Sequence, residues 1–120
     1  MRLEDQVCNS GLARKLKELG VEQESFFVWY TNGDFAHLLD CRDGMRPMEE
    51  KSFSAFTVGE LGEMLPFSYS SMKCGSLIKQ EAWICGLTEK ESPDQYGRTE
   101  ADARAKMLIY LLENRLTKTP

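Results

Sequence analysis

The sequence predicts an α+β fold: a three-layer α/β/α sandwich around a four-stranded, mainly antiparallel sheet, in the order α-β-β-α-β-β-α. Three observations lead there. Residues 10–20 and 99–116 carry apolar side chains at helical spacing, residues 26–39 form a hairpin pattern that is apolar on both faces, and breaker-rich stretches separate such segments. With 120 residues, 42% hydrophobic and 10% aromatic, the chain has the size and composition of one domain spanning 1–120. Residues 1–8 are set apart as an N-terminal segment with scope to be mobile.

The first helix lies in "NSGLARKLKELGV". Asn9 or Ser10 supplies a capping oxygen, and Leu12, Leu16 and Leu19 recur on one side. Gly20 provides the left-handed stop, with Val21 placed to fold back on Leu16. Arg14, Lys15, Lys17 and Glu18 fall on a solvated face.

"SFFVWYTNGDFAHLLDC" reads as a hairpin turning at Asn32-Gly33, the preferred type I′ pair. That turn sets Tyr30 opposite Phe35, Trp29 opposite Ala36, Val28 opposite His37 and Phe27 opposite Leu38. One face then carries Phe26, Val28, Tyr30, Phe35, His37 and Leu39; the other carries Phe27, Trp29, Ala36 and Leu38. A one-sided antiparallel sheet alternates apolar and polar residues, so this pattern predicts cover on both sides.

Residues 42–52 read as a loop, and "AFTVGELGEMLP" as a short helix. There Thr57 and Glu60 match a capping box, Phe56 is placed to staple to Leu61, and Val58, Leu61 and Leu65 form the buried side. Gly59 and Gly62 each weaken this helix by about 1 kcal/mol relative to Ala, and Pro66 ends it. Residues 67–88 fit a second hairpin, with "EAWICGLTE" as its better strand and a turn or bulge near Cys74-Gly75; "KESPDQYG" is a further loop. In the last helix Thr99 is the cap, with Asp102 completing the box. Ala101, Ala105, Leu108, Ile109, Leu112 and Leu116 form its apolar stripe, and Glu100–Arg104 and Asp102–Lys106 are acid-before-base pairs four apart.

Candidate chemistry is sparse. The formal charge is 15 − 19 = −4, which argues against charge-driven binding of nucleic acid or anionic membranes. "MRLEDQVCNS" lacks the apolar core of a secretory signal, and no stretch reaches the roughly 18 apolar residues of a membrane span. A cytoplasmic location is therefore expected, with Cys8, Cys41, Cys74 and Cys85 reduced. No C-x2-C pair occurs among them, so buried free thiols are expected and no metal or cofactor. His37 is the only histidine and lies mid-strand, which favours a packed or edge residue over a catalytic one. Glu49-Glu50 and Glu89/Glu91 fall in loops, where exposed carboxylates are ordinary. Gly97-Arg98-Thr99 could seat an anion at a helix start, but Glu100 and Asp102 put negative charge there. Lysines grip phosphate at the matching helix start of double-stranded RNA-binding domains, and here those positions are acidic. Tyr69, Tyr96 and Phe67 near Lys73 and Lys79 could form a base-stacking surface, although an ordinary half-buried strand explains them better.

"LARKLKELGV", "SAFTVGELGEMLP" and "TEADARAKMLIYLLENRL" resemble small proteins encoded by phages and prophages of gut Bacteroidales bacteria. The predicted architecture resembles the phage ABA-sandwich domain. The resemblance implies a phage or mobile-element setting and carries no cofactor or site residue to any position here. The expected function is a non-enzymatic accessory protein that binds a host or phage protein in the bacterial cytoplasm. The alternatives are a nucleic-acid-associated regulator or anti-restriction factor, and a small enzyme using His37 or clustered carboxylates. Monomeric and self-associated forms both fit the sequence.

Overall fold

The computed structural model describes residues 2–32, 35–47, 49–66, 69–73, 83–88 and 93–120. The helices form where their caps predict. Asn9 accepts from the Leu12 N–H at 2.9 Å and opens α1 (Ser10–Glu18). Gly20, at φ +89°, closes it: the Gly20 N–H reaches the Lys17 carbonyl and the Val21 N–H returns to Leu16. In α2 (Val58–Met64) the capping box is complete, with Glu60 N–H donating to Thr57 Oγ1 at 3.2 Å and Thr57 N–H to Glu60 Oε1 at 2.9 Å. This weak helix holds through burial, since Phe56, Leu61 and Leu65 all enter the main core.

In α3 (Glu100–Glu113) the cap is only half as predicted. Thr99 Oγ1 accepts from the Asp102 N–H at 3.1 Å. The Asp102 carboxylate does not complete the box; it accepts instead from the backbone N–H of Asn9 at 2.8 Å and from its amide at 3.4 Å. The helix is also buried far beyond one stripe, because α1, α2 and strands of the second sheet all pack on it. Ala103, Met107 and Leu111 are buried along with Ala101, Ala105, Leu108 and Ile109, whereas Leu116 lies beyond the helix and is exposed.

The strands depart most from expectation. Among the described residues there is no four-stranded sheet between helix layers. Two three-stranded antiparallel sheets form instead, ordered β2-β1-β3 and β4-β5-β6. The strands are β1 (Phe27–Asn32), β2 (Phe35–Asp40), β3 (Ser52–Ser54), β4 (Tyr69–Lys73), β5 (Trp83–Leu87) and β6 (Gln95–Gly97). The two extra strands, β3 and β6, fall at the ends of stretches read as loops. At three residues each they are too short to display a period.

The first hairpin pairs Asn32 with Phe35, Tyr30 with His37, Trp29 with Leu38 and Val28 with Leu39. The connecting positions are therefore 33 and 34 rather than 32 and 33, and Gly33 itself lies outside the described residues. Moving a turn by one residue slides each partner by two, so the face assignment survives the change of register. The expected cladding does not. Phe35 is 72% exposed, Leu39 is 37% exposed, and His37 is exposed beside them. Only the Val28 end of that face is covered, and by loops. Arg46 donates to the Ser25 carbonyl at 2.7 Å, and Gln23 accepts from the Ser54 N–H at 2.8 Å. The opposite face packs on a small cluster of Val7, Phe27 and Ala55. Trp29 joins that cluster to the main core and donates from Nε1 to the Cys8 carbonyl at 2.8 Å.

Residues 2–8 include a 3-10 turn (Leu3–Asp5) and bring Val7 into a bridge with Thr57. Val7 and Cys8 are fully buried. In the second sheet Tyr69 pairs with Leu87, Ser71 with Cys85 and Lys73 with Trp83, and Trp83 pairs in turn with Gly97. The turn or bulge read at Cys74-Gly75 lies outside the described residues. Among the described residues no helix is long and apolar enough to cross a membrane.

At Gly97 the start of α3 lies close against the sheet. A Cβ there would stand 2.5 Å from the Ala103 nitrogen and 2.8 Å from Asp102 Cβ. Those neighbours are backbone and helix stem, which do not swing aside. Gly97→Ala is therefore expected to destabilise the fold by about 1–3 kcal/mol, the usual range for overpacking, read as a lower urea midpoint with an unchanged slope. A midpoint equal to wild type would show that the approach is looser than described.

A candidate binding cleft at the start of the last helix

Register places three chemically useful residues at one end of the second sheet. Lys73, Trp83 and Gly97 form a row across β4, β5 and β6, and Arg98 follows Gly97 directly. Beside them the start of α2 and the turn at Leu3–Asp5 close off a cleft of about 690 Å³. Its walls include Asp5, Val58, Lys73, Trp83, Arg98 and Glu100. This volume falls within the ordinary range for small-ligand pockets.

Charge in the cleft is unevenly compensated. Glu100 is held by Arg104, whose Nη2 lies 2.9 Å from Glu100 Oε2, and it also accepts from the Ser71 hydroxyl. Arg104 is largely buried. It donates to Ser71 Oγ at 3.0 Å and to the Val58 carbonyl at 2.8 Å, and its guanidinium lies over the Tyr69 ring at 4.8 Å. That network ties α3 to β4 and to the start of α2, and leaves Glu100 no net charge to present. Asp5 faces Arg2 at 3.6 Å, in a pair exposed enough to contribute little to stability. Lys73 and Arg98, both exposed, have no acidic partner among the described residues. The mouth of the cleft thus carries two uncompensated cations beside an indole, on a chain of net charge −4.

Asp102, the other acid that spoke against an anion site, also turns inward. It is 7% exposed. Burial raises its carboxyl above the ordinary value of 3.8, and the hydrogen bonds from Asn9 oppose that rise. The negative charges near the helix start are therefore engaged within the fold. Sequence reading placed them correctly and took them to face outward.

The other candidate residues do not converge. His37 lies on β2, in the other sheet, where its backbone pairs with Tyr30 and its side chain makes no hydrogen bond among the described residues. Cys8, Cys41 and Cys85 are free and buried. Desolvation pushes the Cys8 thiol up to about 12 and the Cys85 thiol to about 11, and raises Cys41 as well. Such thiols are poor nucleophiles and poor ligands. Cys74 lies outside the described residues, as do Glu89, Glu91, Phe67 and Lys79. Glu49 and Glu50 fall in a 3-10 turn, with Glu50 exposed. Among the described residues no group of three His, Cys, Asp or Glu could hold a metal ion. Tyr69 lies under Arg104, so it forms no open stacking surface with Tyr96, which sits on the opposite face of the sheet.

Compared with protein-family models, curated proteins and solved structures, the chain matches none of them.

Asp102 has a measurable pH signature. A carboxyl raised on folding holds its proton better in the native chain than in the unfolded one, so its contribution to stability is greatest below the unfolded value. That contribution is lost as pH rises through the folded value. Asp102→Asn keeps an acceptor for Asn9 but cannot ionise. Urea midpoints measured from pH 4 upward should fall more for wild type than for this variant. Parallel profiles would remove the buried-carboxylate account.

Proposed function

We propose that this protein is a non-enzymatic docking module that holds an acidic segment of a partner protein in the cleft beside α3. The observation that carries this reading is the pair Lys73 and Arg98, uncompensated on either side of Trp83. Binding an acidic segment there replaces the missing counter-charges, while Trp83 and Val58 offer apolar contact for the segment's neighbouring side chains. Among the described residues the lining provides no nucleophile with an adjacent base, which supports capture rather than turnover. A partner of host or phage origin in the bacterial cytoplasm is the setting implied by the resemblance to phage-encoded proteins, and it belongs to the same proposal.

The test is fluorescence anisotropy with a short labelled peptide alternating Glu and Leu. The same peptide with Gln for Glu, and a labelled oligothymidylate, serve as competitors of other chemistry. Wild type should prefer the Glu peptide, with affinity falling as salt rises. The double variant Lys73→Glu, Arg98→Glu should bind it about tenfold more weakly, equivalent to ~1.4 kcal/mol. Equal binding of the Gln peptide, or an unaffected double variant, would overturn the reading. Tighter binding of oligothymidylate would replace it with the nucleic-acid alternative.

A further inference from the structure

The free edge of the first sheet points to a second partner, independent of the cleft. Backbone direction along this sheet follows from two bonds. The Phe26 carbonyl accepts from the Cys41 N–H at 2.8 Å, on the β2 side, and the Phe27 carbonyl accepts from the Ala55 N–H at 2.9 Å, on the β3 side. Successive residues alternate in this way along a strand. The β2 residues that bond to β1 are therefore Phe35, His37 and Leu39. Ala36, Leu38 and Asp40 turn their N–H and C=O groups outward, and among the described residues these groups have no hydrogen-bond partner. The other edge differs: β3 lies against α1.

Edge strands are commonly protected by Pro, by Lys or by a bulge. From Phe35 to Leu39 β2 has neither residue, and its register with β1 runs without interruption. The strand is also complementary to itself. With a two-fold axis on Leu38, Leu38 faces its own copy and Ala36 faces Asp40 of the other chain. All three outward N–H groups of each chain then find carbonyls, giving six bonds in the antiparallel pattern. Centring the axis on His37 or Leu39 pairs fewer of these groups within the strand, and centring it on Asp40 sets carboxylate against carboxylate. In the Leu38 register His37 faces Leu39 of the other chain on the exposed surface, and no like charges are opposed. Asp40 is already paired with Arg42 at 2.6 Å.

We infer that a second copy of this chain binds along β2 in antiparallel register with the axis at Leu38, joining the two three-stranded sheets into one of six. One strand pair makes a small interface, below the roughly 1,200 Å² typical of stable complexes, so the dimer forms reversibly with concentration.

Sedimentation equilibrium on the intact chain tests this. Between about 10 μM and 1 mM, spanning the weak end of the affinity scale, the weight-average mass should climb from one chain towards two. Ala36→Pro removes an outward donor and no bond to β1, so it should remain monomeric over the same range while keeping its circular dichroism spectrum. Register is read separately by oxidative cross-linking. Leu38→Cys should form a disulfide dimer well above the background of the parent chain. Ala36→Cys should not, because its copies sit about four residues or ~13 Å apart along the strand, beyond the ~7 Å limit for a disulfide. A monomer at every concentration, a dimer that survives Ala36→Pro, or equal cross-linking by the two cysteine variants would each overturn the inference. Should Ala36→Pro fail to fold, the cysteine pair decides.

Discussion

Helix α3 is enclosed by α1, α2 and the second sheet, and that enclosure governs most of what surrounds it. A helix carrying large side chains all round would hold its neighbours at the usual 8–10 Å axial separation or more. Here Ala101, Ala103 and Ala105 occupy the first turns and are fully buried, which lets strand and helix backbones approach. Gly97 meets the same need from the sheet. The first half of α3 thus presents three alanines to its neighbours, and the large apolar residues, Met107, Leu108 and Leu111, come later. The high helix propensity of alanine makes this close approach compatible with a stable helix.

Close approach at one helix end crowds polar groups as well as backbones, and both acids of the first turn act across the fold. Asp102 accepts from Asn9, so the carboxylate at the start of α3 also engages the residue that caps α1. Glu100 joins Arg104 and Ser71. These contacts satisfy groups that would be costly to leave bare, and they fix three elements around one point. A result of this inward arrangement is that the cations nearby, Lys73 and Arg98, carry the outward charge.

Sequence reading reached the helices with little error because their boundaries depend on local chemistry. Asn9, Gly20, Thr57, Glu60 and Thr99 each act within a few residues of themselves, and each does so in the structure. It identified the faces of the first hairpin and missed the register, since a shift by two leaves the alternating pattern unchanged. It missed β3 and β6 because three residues hold no period. It expected a sandwich because apolar residues on both faces of a hairpin normally signal burial; the loops at Gln23–Ser25 and Arg46 cover one end, and β2 stays open. The cleft was half legible. Lys73 and the Arg98 turn stand apart in the sequence, and the row that unites Lys73 with Trp83 and Gly97 exists only once the ladder is known. On sequence alone two nearby carboxylates argue against an anion there, and only long-range partners such as Asn9 and Ser71 change their weight.

Cys8 sits where the N-terminal segment meets the main core, with no exposed surface and a thiol pushed up to about 12. Its backbone is fastened on both sides, to the Phe56 carbonyl and to the Trp29 indole. An alkylating reagent reaches that sulfur only when this junction opens, so its rate of modification measures the opening equilibrium rather than intrinsic reactivity. The molecule therefore carries its own internal clock for the breathing of its core, readable without adding any label to the surface.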